Sequence, residues 1–144
     1  MLVLARPLWE RVVAHCLDWY PMEGCGLLAG EAPPSGVGAP GLGYVEVREV
    51  YPATNSARSG RLYTVEPRDL LNADRAAEEA GLALVGVWHS HTHSPPYPSP
   101  TDVGQAPDPE WHYVLVSLSD SEPAVRSYRI REGQVTEEPV VNSR

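Results

Sequence analysis

The feature that most constrains this chain is the run Leu82–Trp88 (LALVGVW), almost wholly apolar and followed at once by a segment dense in histidine and proline. A run of that length without alternation reads as a central strand, and such a strand needs cover on both faces. Two segments can supply it. Pro7 to Tyr20 places Leu8, Trp9, Val12, Val13, Cys16, Leu17 and Tyr20 at three- and four-residue spacing, with proline in the first turn and Pro21 as the stop. Pro67 to Ala80 likewise opens on proline, carries acids and arginines on one face and ends at Gly81. Further strands are expected at Cys25–Gly30, Tyr44–Tyr51 and Tyr113–Ser117, with a short extended piece at Leu62–Val65. Ala124–Ile130 and Gln134–Val141 should pair across the Glu132-Gly133 turn, while the Pro/Gly-rich stretch Glu31–Gly43 reads as a mobile loop. The order α-β-β-α-β-β-β-β predicts one domain over residues 1–144, of α/β (α+β) class, with a mixed sheet flanked by two helices.

Charge narrows the function. Eleven basic and 19 acidic residues leave a net charge of −8, against the concentrated positive surface that nucleic acid or a polybasic membrane contact requires. No apolar run approaches the 18 or so residues of a membrane span. The N-terminus also lacks the charged region that precedes the apolar core of a secretion signal. With two cysteines, Cys16 and Cys25, a disulfide framework is excluded and a cytoplasmic setting is expected. Every basic residue is arginine, so no side-chain amine is available on this chain for isopeptide modification. The oligomeric state stays open, a dimer included.

After the apolar run come His89, His91 and His93, three of the five histidines. Residues two apart in an extended chain project to one side, so His89 and His91 can address one atom. Asp102 follows across a loop that can fold back. Two imidazoles and a carboxylate form a common zinc triad with a fourth position for water, whose pKa then falls toward about 7. A general base is still needed. Glu23 is the candidate, opening a strand beside the small residues Gly24 and Gly26. Ser99, three residues before Asp102, is placed to donate a hydrogen bond to an oxyanion.

His89-x-His91, seven residues, Ser99, two residues and Asp102, with an upstream Glu23 in Glu23-Gly24-Cys25-Gly26-Leu27-Leu28, resembles the JAMM (MPN+, Mov34-type) metalloprotease family. The likeness runs from the first helix to at least Ser117. It implies a mixed, curved, cytidine-deaminase-like sheet between helices, zinc on His89, His91 and Asp102, Glu23 as base and Ser99 as oxyanion donor. Members that remove ubiquitin usually carry proline after the second histidine, where this chain has Thr92. The runs around Tyr97-Pro98-Ser99, His112–Ser117 and Arg126–Ile130 look like the bacterial Mec-type peptidases. That implies a ubiquitin-like sulfur-carrier protein ending in Gly-Gly as partner, with cysteine released for biosynthesis. An isopeptidase stripping such carriers from lysines, and a non-catalytic scaffold of the same fold, are the alternatives.

The remaining candidates carry less. His93 belongs either to the metal and substrate or to a solvated loop, whereas His15 and His112 read as structural. Cys25 lacks a nearby cation to activate it and, like Cys16 and Trp88, reads as core. Tyr97 could wall the entry of a Gly-Gly tail or simply stiffen its loop. Asn55, Arg58 and Arg61 form either a solvated loop, the slightly favoured reading, or a polar loop facing the cleft, where an arginine could pair with a substrate carboxylate.

Overall fold

The computed structural model describes residues 1–31 and 44–142; residues 32–43, the heart of the loop expected at Glu31–Gly43, lie outside them. In chain order the elements are β1 (Leu2–Val3), α1 (Arg6–Trp19), β2 (Cys25–Gly30), β3 (Val45–Ala53), α2 (Pro67–Glu79), β4 (Ala83–His91), α3 (Pro100–Gly104), β5 (His112–Ser117), β6 (Ala124–Arg131), β7 (Gln134–Glu138) and β8 (Val140–Val141). They build one sheet in the order β7-β6-β5-β4-β2-β3-β1-β8. The β4–β5, β1–β3 and β1–β8 pairs are parallel and the others antiparallel, so the sheet is mixed.

The apolar run is the middle of that sheet. β5 shows how both faces are filled: Tyr113 and Leu115 join Leu27, Ala73, Val87, Tyr128 and Ile130 on the α2 side. Val114 and Val116 join Leu2, Leu4, Val12, Cys16, Leu28 and Trp88 on the α1 side. Because both faces are apolar, the strand shows no two-residue alternation. Trp88 is completely buried, and its indole crosses Gly26 so closely that a Cβ there would lie 2.2 Å from the ring.

Three expectations need correction. Only part of the α1 stripe is core: Val12, Val13 and Cys16 are buried, but Leu17 and Tyr20 are half exposed, so the buried face is narrower than the spacing suggested. The segment Gln134–Val141 is two strands, split at Pro139, which has no N–H for a ladder. β7 and β8 therefore stand at opposite ends of the strand order although one residue separates them, and the sheet must curl until its two edges meet at Pro139. The third concerns the stretch after β4. A parallel β4–β5 pair requires a crossover, and residues 92–111 provide it through a short third helix, α3.

Candidate metal centre

The site forms where β4 runs out. β4 extends through His91, three residues beyond the apolar run, and His89 and His91 project from one face as their spacing requires. The antiparallel β2 pairs Cys25 with His89, which brings Glu23, two residues upstream, to the same end. Ser90 faces the opposite side and staples the strands: Gly24 N–H donates to its Oγ at 2.8 Å, and its own N–H donates to Gly24 O at 3.0 Å. The Glu23 backbone is further clamped by Ser59 O (2.8 Å) and by the Asn55 amide (3.0 Å).

The crossover returns Asp102 to the histidines. Ser99-Pro100-Thr101-Asp102 is a capping box in which Asp102 N–H donates to Ser99 Oγ (3.0 Å) and Ser99 N–H donates to Asp102 Oδ2 (2.9 Å). Proline in the first turn and an acid three residues after serine were the local signal for α3. Asp102 Oδ2 then lies 3.0 Å from His91 Nε2 and 3.1 Å from His89 Nε2. Glu23, His89 and His91 each offer a ligand atom within 4.8 Å of the others.

These residues fit a metal ion. Donors about 2.0–2.2 Å from a tetrahedral zinc stand about 3.3 Å apart, close to the separations seen. His89 Nε2 is near Asp102 without hydrogen-bond alignment, and neither His89 nitrogen nor Glu23 Oε1, all buried, has a partner. Buried polar atoms are almost always paired, so convergent orphans point to a missing ligand. The two rings are held differently. His91 Nδ1 is 2.9 Å from Pro95 O, a bond that directs Nε2 into the site. His89 instead lies under Tyr63, ring centroids 4.1 Å apart and planes 18° from parallel. Tyr63 was not picked out from sequence, and nothing local to the short 62–65 segment marks it.

Electrostatics suit the arrangement. Burial pushes His89 down toward the neutral form a metal needs. Burial acts the same way on His91, but the bonds to Asp102 and Pro95 O outweigh it and raise that ring. Burial opposes ionisation of Asp102 too, yet the two imidazoles hold its carboxyl far below the usual carboxylate range. Glu23 is pushed up to about 7, chiefly by burial, with His91 opposing and Asp102 reinforcing.

The site opens into a cleft of about 640 Å³ whose walls include Glu23, His91, Ser99, Arg61 and His93. Other expected residues fall elsewhere. Asn55 is fully buried, its amide nitrogen bonded to Glu23 O and Leu62 O and its oxygen accepting from Ala57 and Thr64, so it shapes the loop and meets no substrate. Arg58 sits at positive φ (46°) outside the cleft wall. Tyr97 is 59% exposed, packs edge-on against Tyr128 and is not in the wall either. His93 has both nitrogens engaged, Nδ1 with Thr92 Oγ1 (2.9 Å) and Nε2 with the Tyr20 hydroxyl (3.2 Å). Burial raises the thiols of Cys16 and Cys25 to about 12, which rules out a thiolate nucleophile. Among the described residues no helix is long and apolar enough to cross a membrane.

Comparison with known proteins agrees with this geometry. Residues 5–131 match the family model described as prokaryotic homologs of the JAB domain. The chain is 42% identical over 141 residues to the CysO-cysteine peptidase of Mycobacterium bovis, covering 97% of this chain and 90% of that protein. It is 34% identical over 135 residues, 93% of this chain and 79% of the relative, to a Thermus thermophilus protein named "Probable TtuB-protein conjugate cleaving protease". A solution structure of a Desulfitobacterium hafniense protein superposes with TM-score 0.86 at 30% identity, over 99% of this chain and 93% of that one. A curved mixed sheet between helices, a buried histidine–carboxylate centre at the end of its central strand and a family match over most of the chain together establish that this protein belongs to the prokaryotic JAB-domain family.

Proposed function

We propose that this protein is a zinc metallopeptidase that hydrolyses the amide bond after the Gly-Gly C-terminus of a ubiquitin-like sulfur-carrier protein and releases cysteine. The observation that carries the reading is the convergence of His89, His91 and Asp102 beside a buried Glu23 with an unpartnered oxygen, where His91 and Glu23 line an open cleft. The likeness to the CysO-cysteine peptidase supplies the substrate class. The proposal takes the domain to span residues 1–144 and the setting to be cytoplasmic.

His89, His91 and Asp102 would hold the ion, which when bound supplies Lewis acidity and lowers the pKa of water toward about 7. Glu23 brings a carboxylate oxygen within 4.8 Å of the imidazole nitrogens, and its buried Oε1 has no partner, which suits a base acting beside the ion. Its carboxylate takes a proton from the attacking water as the oxygen adds to the glycine carbonyl. The same carboxyl then gives that proton to the departing amine as the C–N bond breaks. A pKa near 7 lets one group do both near neutral pH. Ser99 Oγ accepts from Asp102 N–H but keeps its own proton, and its place in the cleft wall lets it donate to the developing oxyanion.

The test is mass spectrometry of a Gly-Gly carrier bearing one extra C-terminal cysteine, incubated with the protein alone, with a zinc chelator, or as the Glu23→Gln variant. The expected result is loss of one cysteine, stopped by both controls. An intact substrate beside zinc-loaded protein would overturn the reading. A second reading, an isopeptidase releasing ubiquitin-like modifiers from target lysines, is favoured by the Thermus thermophilus relative's name. A non-catalytic scaffold is disfavoured by the complete set Glu23, His89, His91, Ser99 and Asp102.

A further inference from the structure

We propose that Arg61 binds the free α-carboxylate of the amino acid being released, so that the cleft takes a single C-terminal residue as leaving group in preference to a lysine side chain. The inference rests on the peptidase reading above and concerns the same cleft.

Arg61 is the one arginine among the residues that line the cleft, and among the described residues it makes no ion pair. Its loop is tied to the proposed base. Ser59 O accepts from Glu23 N–H at 2.8 Å, and Arg61 N–H donates to Ser59 Oγ at 3.0 Å. Gly60 presses so near Pro21 that a Cβ would lie 2.9 Å from the proline carbonyl. Arg61 is thus anchored two residues from the carbonyl that fixes Glu23.

The chemistry of the two leaving groups differs at that place. When one amino acid leaves, the carbon on the departing nitrogen carries a carboxylate. Glu23 must stand beside that nitrogen and is ionised until it takes its proton from water, so the bound substrate carboxylate lies close to a second negative group and is repelled unless a cation meets it. Arginine is the side chain suited to this, because its planar fork pairs with both carboxylate oxygens. His93, the other basic group of the wall outside the metal ligands, has both nitrogens engaged. When a lysine side chain leaves, the nitrogen carries only methylenes, and Arg61 finds no partner.

The test compares kcat/KM for a Gly-Gly carrier extended by one cysteine, the same carrier ending in cysteine amide, and a carrier joined to a lysine side chain. The zinc-loaded wild type, Arg61→Ala and Arg61→Lys are assayed on each. Wild type should prefer the free carboxylate over the amide by about tenfold or more, as a charge-assisted bidentate pair implies. That ratio should fall close to one in Arg61→Ala and recover in part in Arg61→Lys. Equal wild-type rates on carboxylate and amide would overturn the inference while leaving the peptidase reading intact. So would a loss in Arg61→Ala equal on both, which would mark a purely structural loop residue. Cleavage of none of the substrates by wild type would overturn the peptidase reading and the inference with it.

Discussion

Two buried histidine–carboxylate clusters occupy the two ends of the central strands, built from the same residue types to different standards. At the level of Gly86, His112 Nδ1 lies 2.6 Å from Glu138 Oε2, Ser127 Oγ donates to that oxygen at 3.1 Å, and the α-amine of Met1 stands 3.1 Å from Oε1. Both carboxylate oxygens are satisfied. At the level of Ser117, where β4 ends, His91 is oriented by Pro95 O, but both His89 nitrogens and Glu23 Oε1 are buried without partners. Burial of a histidine beside an acid is therefore no mark of function by itself. Incomplete satisfaction around a shared point is, because a buried polar group left unpaired destabilises the fold unless a ligand completes it.

Substitutions at the two clusters should separate cleanly. The largest effect is expected from His89→Ala: zinc retention after dialysis, measured by elemental analysis, and carrier cleavage should both be lost, while His112→Ala keeps its full equivalent of metal. Equal metal loss in the two variants would erase the distinction. Next, His112→Ala should lower unfolding free energy in denaturant titrations by roughly 3 kcal/mol, since it removes the main partner of a buried carboxylate.

The acid limb of stability sharpens the contrast further. Burial alone would raise Glu138, but His112 and the α-amine outweigh it and hold the carboxyl at about 2. A carboxyl harder to protonate folded than unfolded stabilises the protein fully above its ordinary range, near 4.5, and that stabilisation drains as pH falls toward 2. Glu138→Gln should be less stable than wild type at pH 7 yet show a flatter decline between pH 5 and 3, followed by denaturant unfolding of the metal-free protein. Parallel curves would remove Glu138 as the cause. The smallest effect concerns Tyr63, which stacks on a ligand otherwise without a support. Tyr63→Leu should weaken zinc affinity about tenfold in chelator competition, as loss of a ligand's outer support does, whereas Tyr63→Phe should hold it.

Much of the site was legible because its signals are local. His89 and His91 share a face by strand periodicity alone, and the histidines, serines and prolines of residues 89–102 set that segment apart from the run before it. Ser99 and Asp102 were legible as chemistry but not as a helix, since the surrounding prolines masked the capping box that turns Asp102 back toward the histidines. Asn55 shows the opposite failure: a polar residue in a polar loop reads as solvated or cleft-facing, and only the fold shows its amide closed on four backbone groups.

By itself, the sequence determined the two long helices and the main strands, that the apolar run needs cover on both faces, and which residues near its end could hold a metal, because periodicity and turn chemistry act within a few residues. The tertiary structure alone decided what long-range pairing controls. The register of β2 on β4 carries Glu23 to the histidines, the stacking of Tyr63 supports His89, and the loop at Ser59–Arg61 lies against the base. It also decided the curl that joins the sheet's two edges at Pro139. Such contacts join residues far apart in the chain and follow from how two cores close on opposite faces of one sheet, which no local pattern encodes.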